Sequence, residues 1–139
     1  MEKPKVLVIL QNAWTNSTCE NLKQVTYTTS WINRKNATYS RIVPTLEHHF
    51  EIYFTECTSK LAKDSKTKFE TDLGWIKAAV KSNDWAAVIA FGTQAHSAMD
   101  DLGYEAKKLP HPVSFLWRKR LIQDLTQELL NEILEKNKV

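Results

Sequence analysis

The apolar positions of this chain form short continuous runs that alternate with longer stretches of helical spacing. Continuous runs follow Lys5 (VLVIL) and occupy residues 51–57 (EIYFTEC) and 86–91 (AAVIAF). A run that is apolar on both faces is typical of a strand in a parallel sheet. A shorter fourth strand, or a strand-like turn, is predicted over residues 109–113.

The stretches between and after these runs carry apolar residues every three or four positions, which predicts four helices. The first helix is predicted over residues 40–50, and the second ends near residue 83. The third begins with Thr93 as its N-cap and ends at Gly103. The last begins at residue 117 or 118 and carries a long apolar face.

Strands that alternate with helices predict an α/β fold, because each crossover returns the chain to a parallel strand. We expect one domain over residues 1–139, a three-layer sandwich with a short, mainly parallel four-stranded sheet. Ligands of such sheets bind at the carboxyl ends of the strands. The residues at those predicted ends are Gln11-Asn12, Glu56-Cys57, Gly92-Thr93 and His111.

Composition narrows the class of protein only a little. The chain has 139 residues, 42% of them hydrophobic, and a net charge of +3, which permits an anionic partner without requiring one. No apolar run approaches the roughly 18 residues of a membrane span. Two cysteines cannot build a four-cysteine metal site. We therefore expect an intracellular monomer, cytoplasmic or nucleoid-associated, with neither metal nor cofactor.

The segment with the most specific chemistry places His111 between Pro110 and Pro112, on a stiff, non-helical turn. Apolar residues 115–117 and then the cations Arg118, Lys119 and Arg120 follow directly. Such a group can wedge between stacked bases while the cations hold phosphates. The alternative is that residues 116–117 open a core-packed helix whose first cations face solvent.

The other predicted strand ends also allow two interpretations. Asn12 can hold a water molecule and Trp14 can stack on a base. The alternative is that Asn12 caps the next element and Trp14 folds over the core. The Gly92-Thr93-Gln94 turn offers free amides for a phosphate, or is a plain helix start. Residues 11–39 contain no glycine and lack periodicity, which is typical of a binding loop.

Together, VLVIL-QNAW, FGTQAHSAM and PHPVSFL resemble the motifs of the uracil-DNA glycosylase superfamily. The resemblance implies catalytic roles for Asn12 and His111, and a base pocket that includes Gln11, Trp14 and Glu56. It also implies a base-flipping enzyme that hydrolyses the N-glycosidic bond of a damaged, mismatched or modified base in DNA. The residues it assigns to DNA binding are Gly92, Thr93, Gln94, Ser114, Phe115, Leu116, Trp117, Arg118, Lys119 and Arg120.

The chain departs from the family pattern at three positions of the first motif. Leu10 replaces the glycine, Ala13 replaces the proline, and Asn12 stands where many members have an aspartate. In its asparagine, the motif is most similar to the mismatch-specific branch. Two alternatives stay open: a catalytically inactive base- or DNA-binding member of the same fold, and a small nucleotide-binding protein of flavodoxin-like type.

Overall fold

The computed structural model describes residues 3–10, 25–28, 43–58, 70–110 and 119–136. The strands are β1 (Lys5–Leu10), β2 (Tyr27–Thr28), β3 (Glu51–Glu56), β4 (Ala87–Phe91) and β5 (Lys107–Leu109). The helices are α1 (residues 43–46), α2 (Leu73–Lys81), α3 (Thr93–Leu102) and α4 (Lys119–Lys136).

The strands form a single sheet in the order β2-β3-β1-β4-β5. β3, β1, β4 and β5 run parallel, which confirms the predicted α/β class and its four parallel strands. β2 is a two-residue antiparallel strand on β3, in a stretch where the sequence predicted no strand. The chain moves to one side of β1 to make β3 and to the other side to make β4 and β5.

Helices cover both faces of the sheet, because alternate residues of β1 point to opposite sides. One core contains Val6, Val8 and Leu10 with residues of α1 and α4; the other contains Leu7 and Ile9 with residues of α2 and α3. The helix residues of the first core are Val43, Leu46, Ile122, Leu125 and Leu129. Those of the second are Ile76, Ala79, Ala95, Ala98 and Met99.

α4 lies on the first face along the apolar stripe that the sequence predicted. Thr126 is nonetheless buried in this stripe, and its hydroxyl donates a hydrogen bond to the Ile122 carbonyl at 2.7 Å. This bond satisfies a polar group that burial would otherwise leave unpaired. In the part of the chain that the structure describes, no helix combines the length and the apolar character needed to cross a membrane.

Three predicted boundaries differ from the structure. α1 ends at residue 46 rather than at residue 50, and residues 47–49 form a turn before β3. β5 spans Lys107–Leu109 and so begins two residues before the predicted start, while Pro110, which has no amide hydrogen for a strand ladder, lies outside it; residues 111–113 lie outside the described residues. The N-cap of α3 is Gly92 and not Thr93, which is already the first helical residue. No side chain caps this helix.

Candidate functional site: the carboxyl edge of the sheet

The four parallel strands end side by side, and we call this side of the sheet the carboxyl edge. Leu10 of β1 pairs with Glu56 of β3, and Phe91 of β4 pairs with Leu109 of β5. Because β1 and β4 pair as far as Ile9 and Ala90, Leu10 and Phe91 come level one residue later. The structure therefore brings the ends of all four strands into one row.

Glu56 ends β3 as a buried carboxylate, with only 2% of its surface exposed. It shares the alternation of Ile52 and Phe54, so its side chain points to the face covered by α1 and α4. The next residue, Cys57, points to the other face and is also buried. Burial, with a smaller contribution from the Glu56 charge, raises the pKa of Cys57 to about 12. The two side chains at this corner of the edge, one acidic and one a thiol, are therefore both buried.

Gly92 connects β4 to α3 with a backbone conformation that side chains rarely adopt, at φ +90° and ψ 162°. This region is essentially restricted to glycine. The Gly92 amide donates to the Leu109 carbonyl at 2.9 Å, which joins the helix start to the end of β5. The α3 N-terminus, with the backbone amides of its first turn, thus lies at the carboxyl edge.

The first turns of α2 and α3 are tied together at the same edge. The Asp72 side chain caps α2 by accepting from the Trp75 amide, and the Asp72 amide donates to the Cys57 carbonyl at 2.7 Å. The Gln94 side chain donates to the Thr71 hydroxyl at 2.8 Å. These bonds fix the starts of both helices relative to the end of β3.

Trp75 lies in the first turn of α2 and has an unusual position. α2 covers the second face, whereas Trp75 packs against the first core, which includes Leu10 and Phe91. Because α2 begins at the carboxyl edge, the indole reaches that core around this edge. Within the described residues, its buried Nε1 has no hydrogen-bond partner. Helical spacing alone carries no signal for such a donor.

His96, in the first turn of α3, is the second residue that the sequence did not single out. Its Nε2 lies 2.8 Å from the Leu109 carbonyl oxygen and 3.0 Å from the Ala90 carbonyl oxygen. The imidazole is half-buried and contacts backbone atoms near the end of β4 and at the end of β5. Nothing in the sequence indicates these partners, because both are backbone atoms.

The basic triplet is described only in part. Arg120 lies in the first turn of α4 with 87% of its side chain exposed, and its Nε is 3.9 Å from the Asp124 carboxylate. An exposed pair at this distance contributes little, so the guanidinium stays available to an anion. Lys107 and Lys108, by contrast, form ion pairs with Glu128, Glu132 and Asp100.

Of the predicted site residues, the structure brings Glu56, Gly92, Thr93 and Gln94 to the carboxyl edge. The backbone of Lys119 and the whole of Arg120 are described at the start of α4. The remaining predicted site residues lie outside the described residues: Gln11, Asn12, Trp14, His111, Ser114, Phe115, Leu116, Trp117 and Arg118. Among the described side chains, no three of His, Cys, Asp or Glu come together as a metal site requires.

Comparisons with known proteins give no relative for this chain. No family model matches it, and no match was found among curated proteins or among solved structures.

Proposed function

We propose that the carboxyl edge binds DNA and that the protein hydrolyses the N-glycosidic bond of a base flipped into this edge. The observation that carries the proposal is the level row of strand ends. Asn12 follows the end of β1 by two residues, and His111 follows the end of β5 by two residues. The two proposed catalytic residues are therefore attached to strand ends that share one edge.

The sheet order sets the separation between these attachment points. β4 lies between β1 and β5, and neighbouring strands are about 4.8 Å apart, so the two strand ends are separated by roughly 10 Å. A gap of this width admits a nucleobase between groups that approach it from opposite sides. The strand order reverses between β1 and β4, because β3 lies on one side of β1 and β4 on the other. Sheets of this type bind their ligands at such a point.

The proposed reaction needs few groups. Asn12 holds a water molecule whose oxygen bonds to the sugar C1′ while the bond from C1′ to the base nitrogen breaks. The bonding electrons pass to the base, and negative charge builds on its carbonyl oxygen. A neutral His111 imidazole donates a hydrogen bond to that oxygen, and the proton of the water leaves to solvent.

Three described features support binding of the rest of the substrate. Glu56 supplies a buried carboxylate beside the end of β1, an acceptor for N–H groups of a base. The first-turn amides at Thr93 and Gln94 form an N-terminus that favours a phosphate, whereas the Gly92 amide already donates to the Leu109 carbonyl. Arg120 adds an exposed cation. Residues 115–116 would fill the gap left by the flipped base.

The test is strand cleavage at abasic sites after alkali treatment. Labelled duplexes carry uracil, hypoxanthine, a G·T mismatch or a 5-substituted uracil. We expect cleavage by the wild-type protein, and a loss of about 100-fold or more in Asn12→Ala and in His111→Ala. His48→Ala is the matched control, because His48 lies on an exposed turn before β3, away from the carboxyl edge. Cleavage that survives both catalytic substitutions, or is absent from all substrates, contradicts the proposal.

The strand order itself favours a second candidate. Among the parallel strands, the order β3-β1-β4-β5 is that of flavodoxin-like sheets, which bind nucleotides at the same switch point. A protein that binds free nucleotides shows weak dependence of affinity on salt. A DNA binder with about three phosphate contacts loses affinity with a log–log slope of roughly −3. Retention of DNA without cleavage indicates an inactive binding member of the fold.

A further inference from the structure

We propose that His96 is a positioning residue of the carboxyl edge, which holds the end of β5 against the start of α3. This inference rests on the proposed function for its catalytic consequence. The two hydrogen bonds of the His96 ring are observed in the structure and do not depend on that function.

The geometry determines which ring nitrogen carries hydrogen. Nε2 of His96 lies within hydrogen-bond distance of two atoms, the carbonyl oxygens of Leu109 at 2.8 Å and Ala90 at 3.0 Å. A carbonyl oxygen accepts hydrogen bonds but does not donate them, so Nε2 is the donor to both. The imidazole therefore forms a forked bond across the last residues of β4 and β5.

The Leu109 carbonyl receives a second hydrogen bond from the Gly92 amide at 2.9 Å. The His96 amide in turn donates to the Gly92 carbonyl at 3.0 Å. His96, Gly92 and Leu109 thus form a closed set of contacts that joins α3, β4 and β5. β5 has only three residues and lies at the end of the sheet, where these two bonds add to its pairing with β4.

The covalent chain carries this constraint to His111. Consecutive Cα atoms are 3.8 Å apart, so the Cα of His111 lies within about 7.6 Å of that of Leu109. The intervening Pro110 has a fixed φ, and a proline also restricts the residue that precedes it. Because few backbone torsions are free between them, a shift of Leu109 shifts the residue proposed to contact the base. His96 also holds Gly92, the residue directly before the Thr93 and Gln94 amides of the proposed phosphate contact.

The test compares substitutions that differ in the position of the donor. Glutamine places an amide nitrogen near the position of Nε2, whereas asparagine is one carbon shorter and leucine has no donor. The first measurement is hydrogen exchange of the Gly92 amide by NMR. We expect protection to fall about tenfold or more in His96→Asn and His96→Leu, and to be largely restored in His96→Gln. Ser97→Ala, an exposed neighbour on the same helix, should leave it unchanged.

The second measurement separates kcat from KM in base excision. We expect kcat to fall about 10- to 100-fold in the asparagine and leucine variants and to recover in the glutamine variant, because small misplacements near reacting atoms slow chemistry strongly. KM for DNA should change little. Unchanged Gly92 exchange in both shorter variants, or equal kcat in all of them, overturns the proposal. If Gly92 exchange changes but the wild-type protein cleaves no substrate, the positioning by His96 is supported and the proposed function is contradicted instead.

Discussion

Two tryptophans show how the two edges of the sheet differ: Trp75 lies in the first turn of α2, and Trp85 lies between the end of α2 and the start of β4. Trp85 lies near the amino ends of the strands, and its Nε1 donates to the Ala79 carbonyl at 3.1 Å. Its ring packs against Tyr53 with 5.4 Å between centroids. Trp75 lies at the carboxyl edge, and within the described residues its buried Nε1 has no acceptor.

The surrounding polar groups repeat this contrast. At the amino edge, the Lys5 ammonium lies 3.4 Å from the Asn83 side-chain oxygen and over the Tyr53 ring, and the Tyr53 hydroxyl donates to Glu51. At the carboxyl edge, the buried Thr55 hydroxyl also has no partner among the described residues. A buried polar group without a partner costs stability. These polar groups of the amino edge are paired, whereas the Trp75 and Thr55 donors at the carboxyl edge are buried without a partner among the described residues.

The largest expected effect concerns the burial of the Cys57 thiol at the carboxyl edge. Because the pKa of Cys57 is raised to about 12, its thiol should react with a thiol reagent at pH 8 roughly a thousandfold more slowly in the folded than in the unfolded protein. A Cys19→Ser background isolates this site. Fast labelling without unfolding would show that the corner is wet.

The same shift predicts a dependence of stability on pH. The folded pKa of Cys57 lies above the unfolded one, so its favourable contribution is complete below about pH 8.5 and is lost as pH rises towards 12. The pKa values of Tyr53 and Lys107 are also raised, so the stabilising contributions of these two groups are likewise lost in the alkaline range. Cys57→Ala should make the alkaline fall in unfolding free energy shallower, as measured by urea titrations.

Gly92 offers the next largest effect. Gly92→Ala forces a side chain into a backbone region reserved for glycine and should lower the free energy of unfolding by about 1–3 kcal/mol. Gly74→Ala is the matched control inside α2, where the nearest atom to an added Cβ is 3.4 Å away. That variant should be neutral or more stable by up to about 1 kcal/mol. Equal losses in the two variants would contradict the strained turn at the carboxyl edge.

The two tryptophans allow the same substitution at both edges. Trp85→Phe removes packing and a hydrogen bond, whereas Trp75→Phe removes packing and a buried donor that has no acceptor in the described structure. We expect Trp85→Phe to be more destabilising than Trp75→Phe by about 1–2 kcal/mol in chemical denaturation. Equal stability losses would remove the distinction between the edges.

The smallest effect is expected at the amino end of β5. Lys107 contacts Glu128 at 2.5 Å and Glu132 at 2.6 Å, but all three side chains are substantially exposed. Lys107→Met should therefore cost less than about 1 kcal/mol, and the loss should shrink further in high salt. A larger, salt-independent loss would mean that this contact contributes to folding in a way that exposure does not explain.

The apolar runs were sufficient to predict three of the four parallel strands within one residue at either end, because a doubly buried strand must be apolar on both faces. The start of β5 was predicted two residues too late, because Lys107 and Lys108 interrupt the apolar pattern that marks the other strands. β2 has no pattern to detect, because two residues cannot show an alternation. Its pairing with β3 depends on the position of β3 in the finished sheet.

For the candidate site, the sequence by itself determined the order of elements, and with it the edge where strand ends meet. It also supplied Glu56 and the Gly92 turn as polar or flexible positions directly after apolar runs. Only the tertiary structure decided the surroundings of the Trp75 indole nitrogen and the hydrogen-bond partners of His96. Helical spacing reports which face a residue lies on, but not whether its polar atom meets an acceptor. The partners of His96 are carbonyls of two other elements, so they exist only once the sheet has formed.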